Sequence, residues 1–359
     1  MVRTSGFNGV KKIGILAFAL AAVAVLTAPC AAAVSPNRYT VTPLVSNNGV
    51  PGTVVDANLV NAWGLVAGPA TPWWVADNGA DLSTLYNATG AKRALEVGVA
   101  GAPTGLVFNC DSTSFRVGSS NAGALFIFAT EGGTIAGWHP SLGTVAQVKV
   151  DSSGAGAVYK GLAIASTATG LQLYATDFAN ARVDVINTTW AVQTTGGFVD
   201  PSLPAGYAPF GIQTIGTRIF VTYARQTPGS NDETAGPSLG FVDAYDTTGN
   251  LLVRVAQRGQ LNAPWGIAMA PASFGFFGGD LLIGNFGDGH INAYQEQADG
   301  TFELAGTLRT SDGHRLAIDG LWALQFGHGA TANGPTDTLF FTAGPNDEED
   351  GLFGSIRAA

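Results

Sequence analysis

Asn61, Asp77, Asn78, Glu131, Asp177, Asn180, Arg225, Asn285, Asp288, His290, Asp319, Asn346 and Asp347 are the side chains whose types and positions invite chemistry. Each falls in or beside a turn that follows or precedes an apolar run. Carboxylates and carboxamides are the oxygen donors of which Ca2+ takes about six to eight. Asp77, Asp177, Asn285 and Asp288 are the expected metal set, and Ca2+ is the one cofactor these residues invite. The competing reading is that Asp and Asn occupy tight turns because their short side chains bond nearby backbone. Both readings stand at the level of sequence.

Other motifs are weaker. "NDEEDG" (Asn346 to Gly351) has the oxygens and glycine of the first half of a calcium loop, but Arg357 stands where a bidentate Glu is required. A solvated acidic turn is the expectation. "GPSLG" (Gly236 to Gly240) matches a nucleophile pattern, yet it lies in a polar loop leading into a strand, whereas a nucleophile elbow needs strand, turn and helix. His139, His290, His314 and His328 have no metal-ligand spacing. "GHGATANG" lacks the strand-to-helix context of a phosphate loop.

What would position these residues is a repeat. "NAWGLVAG", "APTGLVFN", "VYKGLAIA", "APFGIQTI", "APWGIAMA" and "DGLWALQFG" share one pattern, with Gly64, Gly105, Gly161, Gly211, Gly266 and, last, Ala323 at the same place. They recur at intervals of about 40 to 57 residues, the length of one four-stranded propeller blade with variable loops. After each come a second and usually a third alternating strand, as in "LQLYATDFAN" and "ARVDVINTT". The expectation is all-β: a six-bladed propeller of antiparallel blades, with "NRYTVTPLVSNN" (Asn37 to Asn48) closing the sixth blade so that no edge stays open. Glycine suits an inner strand where a side chain would clash or where φ must be positive. Trp63, Phe210, Trp265 and Trp322 are expected to fill the wedges between blades. Loops before the glycine turn and after the second strand would then open on one face, ringed by the polar residues above together with Asp56 and Asn58.

"APWGIAMAP", "GDLLIGNFGDGHINAYQEQADGTF" and "GLAIASTATGLQLYATDFANARVDVINTT" resemble NHL repeats. With "DANLVNAWGL", "IDGLWALQFG" and "LFFTAGPNDEEDGLFGSI", the resemblance extends over nearly the whole chain after the leader to a family of uncharacterised exported bacterial propeller proteins. Some members carry a PEP-CTERM sorting tail. This chain ends "GLFGSIRAA", which implies release rather than anchoring. The resemblance implies the fold and supplies no activity.

Composition narrows the partners. The net charge is -9, and Arg3, Lys11 and Lys12 precede residue 34 while every Asp and Glu follows it, so the remainder is more acidic still. Such a surface argues against nucleic acid and anionic lipid. Those three cations, the apolar run Ile13 to Ala28, and Ala31 and Ala33 form a signal-peptide pattern over residues 1–33. Residues 34–359 are then one exported domain, periplasmic or extracellular, with no membrane span after cleavage and a monomeric state expected. A lipid on Cys30 is disfavoured because Pro29 precedes it. Cys110 is expected to be a buried, inert thiol. Two functions remain: a scaffold binding a protein, glycan or small molecule, or a Ca2+-dependent hydrolase or lactonase acting on a small ester. An aromatic plug in the channel would favour the first. A deep polar pocket with convergent oxygens would favour the second.

Overall fold

The computed structural model describes residues 36–193 and 197–359, with positions 1, 5, 6 and 9 before them. Apart from those positions, the segment read as a signal peptide lies outside the described residues. Among the described residues six sheets form the blades of a six-bladed propeller, and a separate two-stranded sheet pairs Arg116–Val117 with Ala122–Gly123. Blade 1 comprises Ala62–Val66, Trp73–Asp77, Leu82–Tyr86 and Val97–Gly98 from the axis outward. Blades 2 to 5 repeat this order, with inner strands Pro103–Phe108, Tyr159–Thr167, Tyr207–Ile215 and Pro264–Met269. Blade 6 runs Leu321–Phe326, Leu339–Ala343 and Leu352–Ala358 and is completed by the N-terminal strand Tyr39–Ser46. That strand pairs antiparallel from Tyr39 opposite Ala358 to Ser46 opposite Leu352, as the sequence predicts. Hydrogen bonds between the two ends thereby close the ring. Among the described residues no helix is long and apolar enough to cross a membrane.

The inner-strand glycines permit close approach rather than unusual backbone. None of Gly64, Gly105, Gly161, Gly211 and Gly266 has a positive φ, which corrects half of the expectation. A Cβ on Gly64 would overlap the carbonyl oxygen of Thr104, and one on Gly211 that of Trp265. Each inner strand thus lies against the backbone of its neighbour. In each blade the ladder between the inner and second strands also shifts register beside this position, as between Ala62 and Leu65 or Pro209 and Ile212. Such bulges re-aim side chains.

The residue preceding the glycine consequently does not fill a wedge. Trp63 of blade 1 contacts Trp265 of blade 5, and Phe210 of blade 4 contacts Trp322 of blade 6, pairs that only the axis can bring together. The wedge aromatics sit instead on second strands, as where Trp74 stacks on Phe126 at 4.0 Å between blades 1 and 2.

Candidate functional site

The channel has two mouths. At the start of the inner strands, Trp63 and Trp322 stack at 3.7 Å, Trp265 meets Trp322 edge-on at 6.0 Å, and Phe286 covers Trp322 at 4.1 Å. Trp265 Nε1 reaches across from blade 5 to donate to the Lys160 carbonyl of blade 3 at 3.0 Å. Trp63, Phe210 and Trp322 are no more than 1% exposed, so these rings plug the axis. Burying such a ring contributes about 3 kcal/mol, which accounts for their presence without invoking a ligand.

Lys160 takes the equivalent place in blade 3, held in the other blades by Trp, Phe or Thr, and is only 2% exposed. Its Nζ donates to Glu131 Oε1 at 2.6 Å and stands 5.1 Å over the Trp63 ring. Burial alone would lower its pKa, but Glu131, Glu233 and Asp232 outweigh that and hold it above the ordinary lysine value. From there a chain of hydrogen bonds caps the plug. Asn78 Nδ2 donates to Glu131 Oε2 at 2.9 Å, Asn61 Nδ2 to Asn78 Oδ1 at 3.2 Å and to Glu348 Oε2 at 2.6 Å, and Trp322 Nε1 to Asn61 Oδ1 at 2.9 Å. Glu348 is turned inward by three consecutive left-handed residues, Asn346, Asp347 and Glu348, with φ of 59, 53 and 69. Such backbone costs on the order of 1 kcal/mol per residue and persists only where its surroundings enforce it. The "NDEEDG" segment is therefore more than a solvated turn: Asp347 is exposed, but Glu348 bonds over the axis.

The other sequence-predicted residues are not gathered into this cap. Asp77 is fully buried inside blade 1, accepting from Thr84 N at 2.8 Å. Asp177 accepts from Val158 N at 3.2 Å and Asn180 Nδ2 at 2.7 Å within blade 3. Asn285 donates to Gln260 O at 2.7 Å and to Asp288 Oδ1 at 3.0 Å in blade 5, where Asp288 also accepts from His290 N at 3.1 Å. Asp319 accepts from Asn346 N at 3.0 Å, and Arg225 is exposed. Asp56 is buried against Tyr86 and Lys92, while Asn58 donates to Glu96. The expected metal set is thus spread over three blades, each member hydrogen-bonded within its own blade, with Asp77 Oδ1 and Asn285 Oδ1 buried and unpartnered. Among the described residues no three His, Cys, Asp or Glu side chains are placed to share a metal ion. What sequence reasoning missed here is Lys160, and the signal was legible: a lone cation at a position otherwise held by Trp, Phe or Thr must find a buried anion.

The opposite mouth is open. The far ends of all six inner strands line a funnel of about 510 Å3, walled by Val107, Phe108, Ile164, Ile215, Met269 and Phe326. Its floor narrows onto Trp265 of the plug. No Asp, Glu, Lys or Arg lines it. Its polar groups are few: Gln213 and Gln325, two residues past the repeat position in blades 4 and 6, then Thr214 and, at the rim, His328 and Cys110. Among the described residues neither carboxamide bonds to another protein group, and the buried Thr214 hydroxyl has no partner. Cys110 is exposed, contrary to expectation, because the strand has ended and its loop bends over the rim.

Two proteins of Acanthamoeba polyphaga mimivirus are similar along most of their length. Uncharacterized protein L690 is 30% identical over 331 residues, covering 87% of this chain and 84% of its own. The chain belongs to the same family as L690. Uncharacterized protein R648 is 31% identical over 328 residues, covering 87% and 78%. No family profile matches the sequence. Among solved structures, a streptogramin B lyase has a TM-score of 0.50 at 15% identity over 82% of this chain and 78% of its own. Virginiamycin B lyase from Staphylococcus aureus has a TM-score of 0.50 at 14% identity, covering 90% and 100%. At such identity the likeness concerns the fold alone, so function in the L690 family must be argued from the two mouths.

The cap carries one pH-dependent prediction. Burial pushes Glu233 up to about 7 against the pull of Lys160. A carboxyl raised in the folded state stabilises the fold at low pH, and that contribution is lost as pH rises from 4.5 to about 7. Glu233→Gln is therefore expected to gain stability relative to wild type by about 2 to 3 kcal/mol between pH 5 and pH 8, read by urea unfolding. An unchanged difference across that range would mean that Glu233 is solvated.

Proposed function

We propose that this protein is a non-enzymatic binding propeller whose ligand enters the apolar mouth at the far ends of the inner strands. The observation that supports this most is the aromatic plug: it closes the polar end of the channel and leaves, at the other end, an open funnel lined by apolar side chains and the carboxamides of Gln213 and Gln325. A hydrolase needs convergent oxygens free to meet substrate or metal. On the polar face, Glu131 is already bonded to Lys160 and Asn78, and Glu348 to Asn61. Export after removal of residues 1–33 and a monomeric state form part of the proposal, and the acidic surface argues against nucleic-acid partners.

A panel of p-nitrophenyl esters and γ-lactones, with and without Ca2+, tests the choice between classes. The expected outcome is no turnover by wild type above that of Glu131→Gln. Calcium-dependent release abolished by Glu131→Gln would overturn the binding reading.

A further inference from the structure

The funnel's chemistry also defines its occupant, an inference that rests on the binding reading above. We infer that the funnel takes a neutral, mainly apolar small molecule carrying one carbonyl, amide or hydroxyl group that meets the carboxamides of Gln213 and Gln325. Three observations converge. The walls are apolar side chains from all six blades, and the volume of about 510 Å3 lies in the range of sites that enclose small molecules. No Asp, Glu, Lys or Arg lines the cavity and its one imidazole, His328, stands at the rim, so a charged ligand seated inside would lose water without a carboxylate, ammonium or guanidinium to meet it. The interior is not wholly apolar, because Gln213 and Gln325 line both the funnel and its narrow floor.

In the other four blades the residue two past the repeat glycine is Val66, Val107, Ala163 or Ala268. Glutamine in blades 4 and 6 places two carboxamides, able to donate and to accept, among these hydrocarbon side chains. Both carboxamides also line the narrow floor, so together they form a polar end to the apolar funnel. A polar group on the ligand would satisfy them, and a hydrocarbon would leave them unpaired.

The test uses dyes of known charge. N-phenyl-1-naphthylamine, which is neutral, is expected to bind the wild-type protein. Its binding is expected to be lost in Met269→Trp, which fills the funnel from blade 5. Ile164→Trp, on blade 3, serves the same purpose should the first variant fail to fold. The 8-sulfonate of the same ring system is expected to bind about tenfold or more weakly, because its charge would be buried without a partner. Nile red, whose carbonyl reports hydrogen bonding, is expected to bind the Gln213→Leu/Gln325→Leu variant with emission moved to shorter wavelength. Equal affinity for the sulfonate, or unchanged Nile red emission, would overturn the ligand class while the binding site stood. Undiminished N-phenyl-1-naphthylamine binding in both filled variants would remove the site itself.

Discussion

Gly211→Ala is expected to lower the unfolding free energy by about 3 kcal/mol, with Gly161→Ala costing clearly less. A methyl on Gly211 would overlap the carbonyl oxygen of Trp265, which belongs to the next blade's inner strand and cannot move without shifting the plug. It would also stand 3.0 Å from Thr222 Oγ1, which accepts the Gly211 N–H at 2.8 Å. At Gly161 the nearest atom, the Phe210 carbonyl oxygen, is 2.9 Å away, so a few tenths of an ångström of adjustment relieves it. Because neither glycine has a positive φ, the penalty is steric and should follow these distances rather than a uniform backbone cost. Urea unfolding of the two variants reads it. Equal, small losses would mean that neighbouring inner strands are not in close contact.

Glu131→Leu is expected to cost about 3 to 5 kcal/mol, because it strands a buried ammonium. Lys160 keeps Asp232 at 3.9 Å, but that carboxylate is largely exposed and screened. Lys160 also keeps Glu233, whose carboxyl burial pushes up to about 7, so that it is only partly ionised at neutral pH. The paired change Lys160→Met/Glu131→Leu is expected to recover most of the loss, since removing both charges removes the desolvation cost. Lys160 is held above its ordinary pKa, so its contribution is present throughout the neutral range and fades only as pH rises past the usual lysine value. If the double variant were as unstable as the single one, the cap would be held by packing and not by the ion pair.

The fold was legible because its cause repeats. Six copies of a turn and strand made the blade count readable, and Asn37 to Asn48 had no other place to pair. The axis was less legible. A glycine beside an aromatic residue fits both a wedge and a plug, and only the register shift at that point decides between them. Of the site residues, Asn61, Asn78 and Glu131 were found and do meet, whereas Asp77, Asp177, Asn285 and Asp288 were chosen by type and proved to serve their own hairpins. Glu348 escaped because its neighbours in "NDEEDG" carry the same charge, and what separates it is backbone conformation. The funnel left a fainter trace. Gln213 and Gln325 interrupt apolar runs at one repeat position, a signal visible only when the six copies are aligned.

The central claim is that ligand enters the apolar mouth and not the polar face. A crystal structure of the protein soaked with Nile red tests it most directly. Density for the dye is expected between Met269 and Phe326, with its carbonyl toward Gln213 or Gln325. Dye seated over Lys160 and Glu348, with the funnel empty, would contradict it.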